Sequence, residues 1–220
     1  MRRRSNHMAL WLLLLGVSVP GAGRAWPVGG VFVAPTPSGG QEEPRLILGK
    51  SGSVLAYWSD ERWLEGFDLY GQLLTPSGLV APGWPDTGLM IARAFDDQRS
   101  GAGLADPDGS FIVGIMDFRN ALLGGTSIDS YLSRVLPSGA IDPAWPRQGF
   151  QAVNRVGQDV PEKMLWVAPD TLITACFYAQ PDALGRPLLQ QVAITPSGPT
   201  LPWGRPGSST SGGRVSTSPR

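Results

Sequence analysis

Two pairs of oppositely charged side chains are the first residues in this sequence that could do chemistry. Asp60 is followed two positions later by Arg62, and Asp117 is followed in the same way by Arg119. Side chains two residues apart on a β-strand project from one face, so each Asp can pair with its Arg and pin the following loop. The aspartates could instead be the paired carboxylates of a glycosidase-like site, about 5 to 10 Å apart. Because they recur in step, we expect a structural role.

A second recurrent set consists of a Gln beside an acid, 13 to 15 residues after a tryptophan. We assign five of its members to a possible ligand surface: Gln41, Asp97, Gln98, Gln158 and Asp159. If these residues lie in loops on one face of the molecule, their acids and amides could hold a cation or a sugar. Alternatively, the same side chains satisfy backbone groups where the chain crosses between repeats.

Apolar residues also occur in segments that are expected to be loops. They are Trp63, Leu122, Leu123 and Leu184. If they are exposed together, they would form a patch suited to a protein partner; if they fold back, they cap the neighbouring unit.

Several common chemistries are excluded by the composition. Arg2 to Arg4, the apolar run from Met8 to Val19 and the small residues before Trp26 are typical of a secretory signal peptide spanning residues 1–25. Its cleavage would remove four Arg and the only histidine, leaving 14 basic and 18 acidic side chains, a net charge of about −4. Without His, neither a Ser-His-Asp triad nor a His-ligated zinc site is available, and no basic stripe remains for nucleic acid. Cys176 has no partner for a disulfide within the chain and lies in an apolar run, where a small core residue is expected.

The elements that would position these residues come from an internal repeat. Four tryptophans, each with Gly four positions later, are separated by 58, 61 and 58 residues: Trp26, Trp84, Trp145 and Trp203. A Pro-Ser-Gly turn precedes each of the last three, ending at Gly78, Gly139 and Gly198. Recurrence of this kind indicates duplication with a period of about 59 residues. We expect the tryptophans to fill the seams between neighbouring units.

Each repeat contains short β-rich runs around turn formers and no helical periodicity, although the 220-residue chain has 29 Gly and 21 Pro. We therefore predict an all-β fold: a partial β-propeller of three four-stranded antiparallel units, residues 26–83, 84–144 and 145–203. The first strand is predicted from Gly103 in the second unit and from Met164 in the third. Residues 204–220 are expected to form a flexible Gly/Ser/Thr-rich tail.

The repeats resemble those of exported bacterial β-propellers, including the TolB-type family. The resemblance is carried by the turn and strand from Asp106 to Val113 and by Ser59 to Arg62 followed by Phe67 to Tyr70. It implies a propeller scaffold and transfers no catalytic residue. The longer period and the Trp-Pro-x-x-Gly element depart from the TolB-type pattern.

The expected function is a secreted or periplasmic, non-enzymatic scaffold with no cofactor and no metal site. Its partner would be a protein, a carbohydrate, or further blades from the same or another chain, without nucleic acid or a membrane span in the mature protein. The alternative is a carboxylate-dependent carbohydrate-active enzyme, for which Glu65, Asp68 and Asp96 are eligible.

Overall fold

β-Strands are the main secondary structure in the part of the chain whose structure is described. The computed structural model describes residues 26–27, 29–33, 39–121, 128–180 and 183–204. Within these ranges there are thirteen strands and one short 3-10 helix, Lys50–Gly52, which confirms the all-β class. The predicted signal peptide and most of the predicted tail lie outside these ranges.

The first sheet is a simple antiparallel meander. Its strands, in spatial order, are β1 (Gln41–Leu48), β2 (Val54–Asp60), β3 (Asp68–Leu74) and β4 (Leu89–Ala92). Strand β2 is covered on both faces, which explains why its sequence is almost continuously apolar rather than alternating.

The second sheet repeats this order with its fourth position divided in two. Its strands are β5 (Gln98–Ala105), β6 (Phe111–Asp117), β7 (Asp129–Leu136), β8 (Ala140–Ile141) and β9 (Phe150–Val153). Both β8 and β9 pair with β7, one on each side of the Trp-Pro turn. In the first sheet an isolated bridge between Leu74 and Val80 takes the place of β8.

The third sheet has the longest strands. They are β10 (Gln158–Ala168), β11 (Thr171–Gln180), β12 (Ala183–Thr195) and β13 (Gly198–Thr200), again antiparallel and in sequence order. Strand β10 begins six residues before the predicted start at Met164. The three predicted antiparallel sheets are therefore present, and none of them closes on itself.

The sheets stack through apolar side chains, so that the second lies between the other two. One cluster joins Leu55 and Tyr57 of the first sheet to Phe111 and Ile115 of the second. From its opposite face, the second sheet contributes Ile112 to a cluster with strands of the third. Strand β5 contacts both β1 and β10, so the first strands of successive sheets are neighbours. Burial on both faces makes the second sheet the centre of the core.

Two of the repeated tryptophans, Trp26 and Trp84, lie against the Pro-Ser-Gly turn that follows them in the chain. The indole of Trp84 donates a 2.9 Å hydrogen bond to the carbonyl oxygen of Pro137. A Cβ added to Gly139, which has φ of +80°, would lie 3.3 Å from the Trp84 ring. Glycine is required there by both its backbone angle and the approach of the indole. Trp26 lies in the same way against Gly78.

Candidate functional site

The paired charges predicted from the sequence form a buried clamp at the end of β2. Both oxygens of Asp60 accept hydrogen bonds from the Arg62 guanidinium, at 2.8 and 2.6 Å. Asp60 also accepts bonds from the Arg62 backbone N–H and the Trp58 indole. Burial alone would raise the pKa of Asp60, but these hydrogen bonds hold it below its ordinary value. The carboxylate is therefore ionised and fully occupied.

The guanidinium of Arg62 also connects Asp60 to the Trp-Pro-x-x-Gly turn. It donates a 3.0 Å hydrogen bond to the carbonyl oxygen of Thr87 and stacks 3.7 Å from the centre of the Tyr70 ring. The second sheet repeats the arrangement, because Arg119 binds Asp117, stacks on the Tyr131 ring and donates to the carbonyl of Gln148. Thr87 and Gln148 each immediately precede the glycine of this turn.

The third sheet replaces the clamp with a different contact. Tyr178 occupies the position of the aspartates, and its hydroxyl donates to the carbonyl oxygen of Val156. The guanidinium of Arg155 lies 4.8 Å from its ring. Asp60 and Asp117, through their arginines, therefore hold the Trp-Pro-x-x-Gly turns of the first and second sheets.

Of the Gln and acid residues predicted to lie in loops, Asp97 does lie in one, immediately before β5, whereas the other four are at the start of strands. Gln41, Gln98 and Gln158 begin β1, β5 and β10, and Asp159 is the second residue of β10. The backbone N–H groups of Gln98 and Asp159 donate to the carbonyl oxygens of Phe67 and Ile128, each immediately before the third strand of the preceding sheet. Gln98 and Asp159 are fully buried and do not reach an open face.

Four side chains of this set make hydrogen bonds within the protein. The oxygen of the Gln98 amide accepts the backbone N–H of Ala94, and a carboxylate oxygen of Asp159 accepts that of Arg155, four residues back in each case. Asp97 accepts the backbone N–H of Phe67. Gln41 is exposed but donates to Asp60. Asp97, Gln98 and Asp159 thus satisfy backbone groups, as in the alternative role proposed for this set.

The apolar loop residues have separate placements. Trp63 lies in the loop after β2, is 53% exposed, and its indole donates to the Tyr70 hydroxyl. Leu184 belongs to strand β12 rather than to a loop. Leu122 and Leu123 lie outside the described residues.

A cleft beside this loop brings together the three carboxylates that the sequence offered to an enzyme. Its volume is about 340 Å³, and Glu65, Asp68, Arg93, Phe95 and Asp96 are among the residues that line it. The Arg93 guanidinium lies 5.1 Å from the Trp63 ring, so this indole stands next to the cleft. Phe95 is 69% exposed. We call these lining residues, together with Trp63, the acidic cleft.

Electrostatics distinguish Asp68 from the other carboxylates of the acidic cleft. Burial raises the pKa of Asp68 to about 6, against the opposing attraction of Arg93. The Arg93 guanidinium lies 3.6 Å from the Asp68 carboxylate and 3.2 Å from that of Glu65, which is exposed. Asp68 can therefore hold or release a proton near neutral pH.

The other reactive groups of the described residues are weaker candidates for a functional site than Asp68. Burial raises the pKa of the Cys176 thiol to about 11, so it is protonated at neutral pH. In the described part of the chain, no three His, Cys, Asp or Glu side chains are grouped to hold a metal ion. The same residues include no helix of the length and apolarity needed to cross a bilayer.

Comparison with known proteins does not assign the chain to a family. No family model and no curated protein matches it.

Proposed function

We propose that this protein is an exported, non-enzymatic, β-propeller-like repeat module that serves as a structural or binding scaffold. The observation that carries the proposal is the use of its recurrent charged residues. Asp60 and Asp117 are saturated by hydrogen bonds from Arg62 and Arg119, which leaves no free carboxylate oxygen for a substrate. Export is supported by the N-terminal sequence.

The propeller-like part is supported by how the sheets follow one another. Each is an antiparallel meander in sequence order, and its first strand lies beside the first strand of the next sheet. Propeller blades have this organisation, with their first strands around a common axis. Such a scaffold gives rigid support to the loops at its ends.

The acidic cleft is the best candidate for the binding surface of the scaffold. It combines carboxylates that accept hydrogen bonds, a guanidinium that donates them, and the partly exposed rings of Trp63 and Phe95. Aromatic surfaces beside a few polar groups suit a carbohydrate, and the same groups also fit a polar loop of a protein.

A carboxylate-dependent glycosidase is the second candidate, because Glu65, Asp68 and Asp96 line one cleft. Asp68, with its pKa near 6, would be the general acid that protonates the leaving oxygen. A second carboxylate would then act as nucleophile or base.

One experiment separates the two candidates. The purified mature chain is titrated with a panel of oligosaccharides, with binding followed by tryptophan fluorescence and product release by chromatography. Binding without products, weakened by Trp63→Ala, supports the scaffold. Products that disappear with Asp68→Asn would establish the enzyme instead.

The matched control is Asp106→Asn. Asp106 is also a buried carboxylate beside an arginine, Arg134, but it lies in the second sheet outside the cleft. The Asp106→Asn substitution should leave both oligosaccharide binding and product release unchanged. If no oligosaccharide binds or reacts, the carbohydrate ligand is contradicted and a protein partner is left for the cleft.

A further inference from the structure

Asp68 is a buried carboxylate of the acidic cleft that accepts no hydrogen bond from the described residues. The residue is only 5% exposed, and it lines the cleft. The Arg93 guanidinium is 3.6 Å away, which gives an ion pair but is longer than a hydrogen bond. Burial and neighbouring charges, without any hydrogen bond, set the pKa of this carboxyl group. A buried acceptor of this kind needs a donor, and the cleft is where a donor from outside the protein can reach it.

The second sheet shows which donors the counterpart of Asp68 receives. This counterpart is Asp129, because each of the two is the first residue of the third strand of its sheet. One oxygen of Asp129 accepts the side-chain amide N–H groups of Asn120, at 2.7 Å, and Gln151, at 3.3 Å. Two amides of the protein therefore satisfy this oxygen in the second sheet.

The first sheet lacks both of these donors. The position of Asn120, three residues after the aspartate of the clamp, is taken by Trp63. The position of Gln151, opposite the tyrosine on which the arginine stacks, is taken by Met90. The indole N–H of Trp63 donates to a tyrosine hydroxyl instead, and a methionine side chain has no N–H. The repeat thus leaves Asp68 without the side-chain donors that its counterpart has.

The charges of the acidic cleft favour a cationic donor over a neutral one. Among its described lining residues, the carboxylates of Glu65, Asp68 and Asp96 outnumber the one guanidinium, that of Arg93. A neutral ligand would leave this excess of negative charge uncompensated. An ammonium group carries three N–H donors on one nitrogen, so a single group can take the place of the two amides. The ring of Phe95, at 69% exposed, is also available to attract a cation.

We propose that the acidic cleft binds the ammonium group of an amino sugar, with the Asp68 carboxylate as its acceptor. The inference rests on the proposed function, because it names the ligand of the same cleft. A sugar ring suits the rest of the site, since the volume of about 340 Å³ is at the small end of ligand pockets. The partly exposed rings of Trp63 and Phe95 present flat apolar surfaces to it.

The test compares a disaccharide of glucosamine with the same disaccharide in its N-acetylated form, which keeps the sugar rings and has no ammonium group. Titration of the mature chain at pH 7, followed by tryptophan fluorescence, gives the two dissociation constants. We expect the amino form to bind at least about 10-fold more tightly, because it adds a hydrogen bond between charged groups. Asp68→Asn should remove this preference.

Two further variants exchange the residues at one position of the repeat. Met90→Gln offers Asp68 the amide that its counterpart receives, so it should weaken binding of the amino disaccharide by about 5-fold. Gln151→Met is the matched control, because it makes the reverse change in the second sheet, outside the cleft. It should leave the dissociation constant unchanged. Circular dichroism verifies that all the variants fold.

The outcomes separate this inference from the proposed function. Equal affinity for the two disaccharides, or a preference that Asp68→Asn leaves intact, would overturn the ammonium site and leave carbohydrate binding in place. A capped lysine peptide carries the same ammonium group without a sugar ring. If it binds more tightly than the amino disaccharide, the ligand is a protein and the amino sugar is overturned. If neither disaccharide binds, carbohydrate binding by the cleft fails together with the inference.

Discussion

Arg62 joins three parts of the first sheet through a single side chain. It neutralises Asp60, covers the ring of Tyr70 and holds the carbonyl of Thr87 in the Trp-Pro-x-x-Gly turn. Asp60 is fully buried and the Arg62 side chain is 11% exposed. Removing one partner of a surface ion pair leaves the other charge in water. Removing one partner of this buried pair would leave the other charge with neither a counter-charge nor solvent.

We expect Arg62→Ala to lower the free energy of unfolding by about 3 kcal/mol, through the uncompensated Asp60 carboxylate. Urea denaturation measures the change. Glu65→Gln is the control, since it alters an ion pair whose carboxylate is 77% exposed, and its effect should stay below about 1 kcal/mol. Equal effects of the two substitutions on the free energy of unfolding would show that the buried clamp adds no more stability than an exposed ion pair.

Asp159 makes the stability of the third sheet depend on pH. Burial raises the pKa of Asp159 to about 6, so the folded chain holds this proton more tightly than the unfolded chain. The resulting stabilisation is complete below about pH 4 and is lost as the pH rises through 6. One oxygen of Asp159 is buried without a hydrogen-bond partner, which agrees with a preference for the neutral acid.

Asp159→Asn should therefore unfold at higher urea concentration than the wild type at pH 7.5 and at nearly the same concentration at pH 4. The amide keeps the acceptor for the Arg155 N–H, as the Gln98 amide does for Ala94 in the second sheet. A substitution that destabilises the protein at pH 7.5 would mean that Asp159 is stabilised as a carboxylate.

The elements that lie at the junctions of the repeat are the turns of the four recurrent tryptophans, three of them Trp-Pro, and these tryptophans differ in burial. Trp84 and Trp145 are 5% and 4% exposed, whereas Trp26 and Trp203 are 44% and 56% exposed. The inner two therefore remove more apolar surface from water than the outer two.

Trp84→Ala should cost about 3 to 5 kcal/mol of unfolding free energy, because a large buried side chain and its hydrogen bond to Pro137 are lost. Trp26→Ala is the matched control at the same position of the repeat, and it should cost less than half as much. Thermal and urea unfolding of the two variants give the comparison. Similar losses would contradict a seam role that depends on burial.

Turns could be predicted from the sequence, whereas the starts of the first strands of the second and third sheets could not. Proline and glycine act locally, so the turns at Gly78 and Gly139 follow from the residue types. Strand β5 begins at Gln98, five residues before the predicted start at Gly103. A Cβ on Gly103 would lie 2.8 Å from the Tyr57 hydroxyl. The close approach of the neighbouring sheet therefore requires glycine at this position, and strand propensity does not determine the residue type.

The acidic cleft was predictable only as a set of candidates. Glu65, Asp68 and Asp96 are separated in sequence, and only Asp68 belongs to a strand. Their convergence depends on the path of the loop after β2 and on the crossing from β4 to β5, where Asp96 adopts a positive φ of 62°. Residue spacing alone predicts neither path, whereas recurrence pointed directly to the structural aspartates Asp60 and Asp117.

At the scale of the whole molecule, burial decreases from the second sheet to the third. Phe111, Ile112, Val113 and Ile115 of β6 are 1% exposed or less, because sheets cover both faces of this strand. Strand β11 is also central in its sheet, but among the described residues only one of its faces is covered by another sheet. Hydrogen bonding is similar in the two strands, so the difference in local stability comes from packing.

We therefore expect backbone amides of β6 and β7 to exchange at least about 10-fold more slowly than those of β11 and β12. Hydrogen exchange with mass spectrometry measures this difference. Uniform protection of the two sheets would show that the stack unfolds as one cooperative unit, with no gradient from its centre to its end.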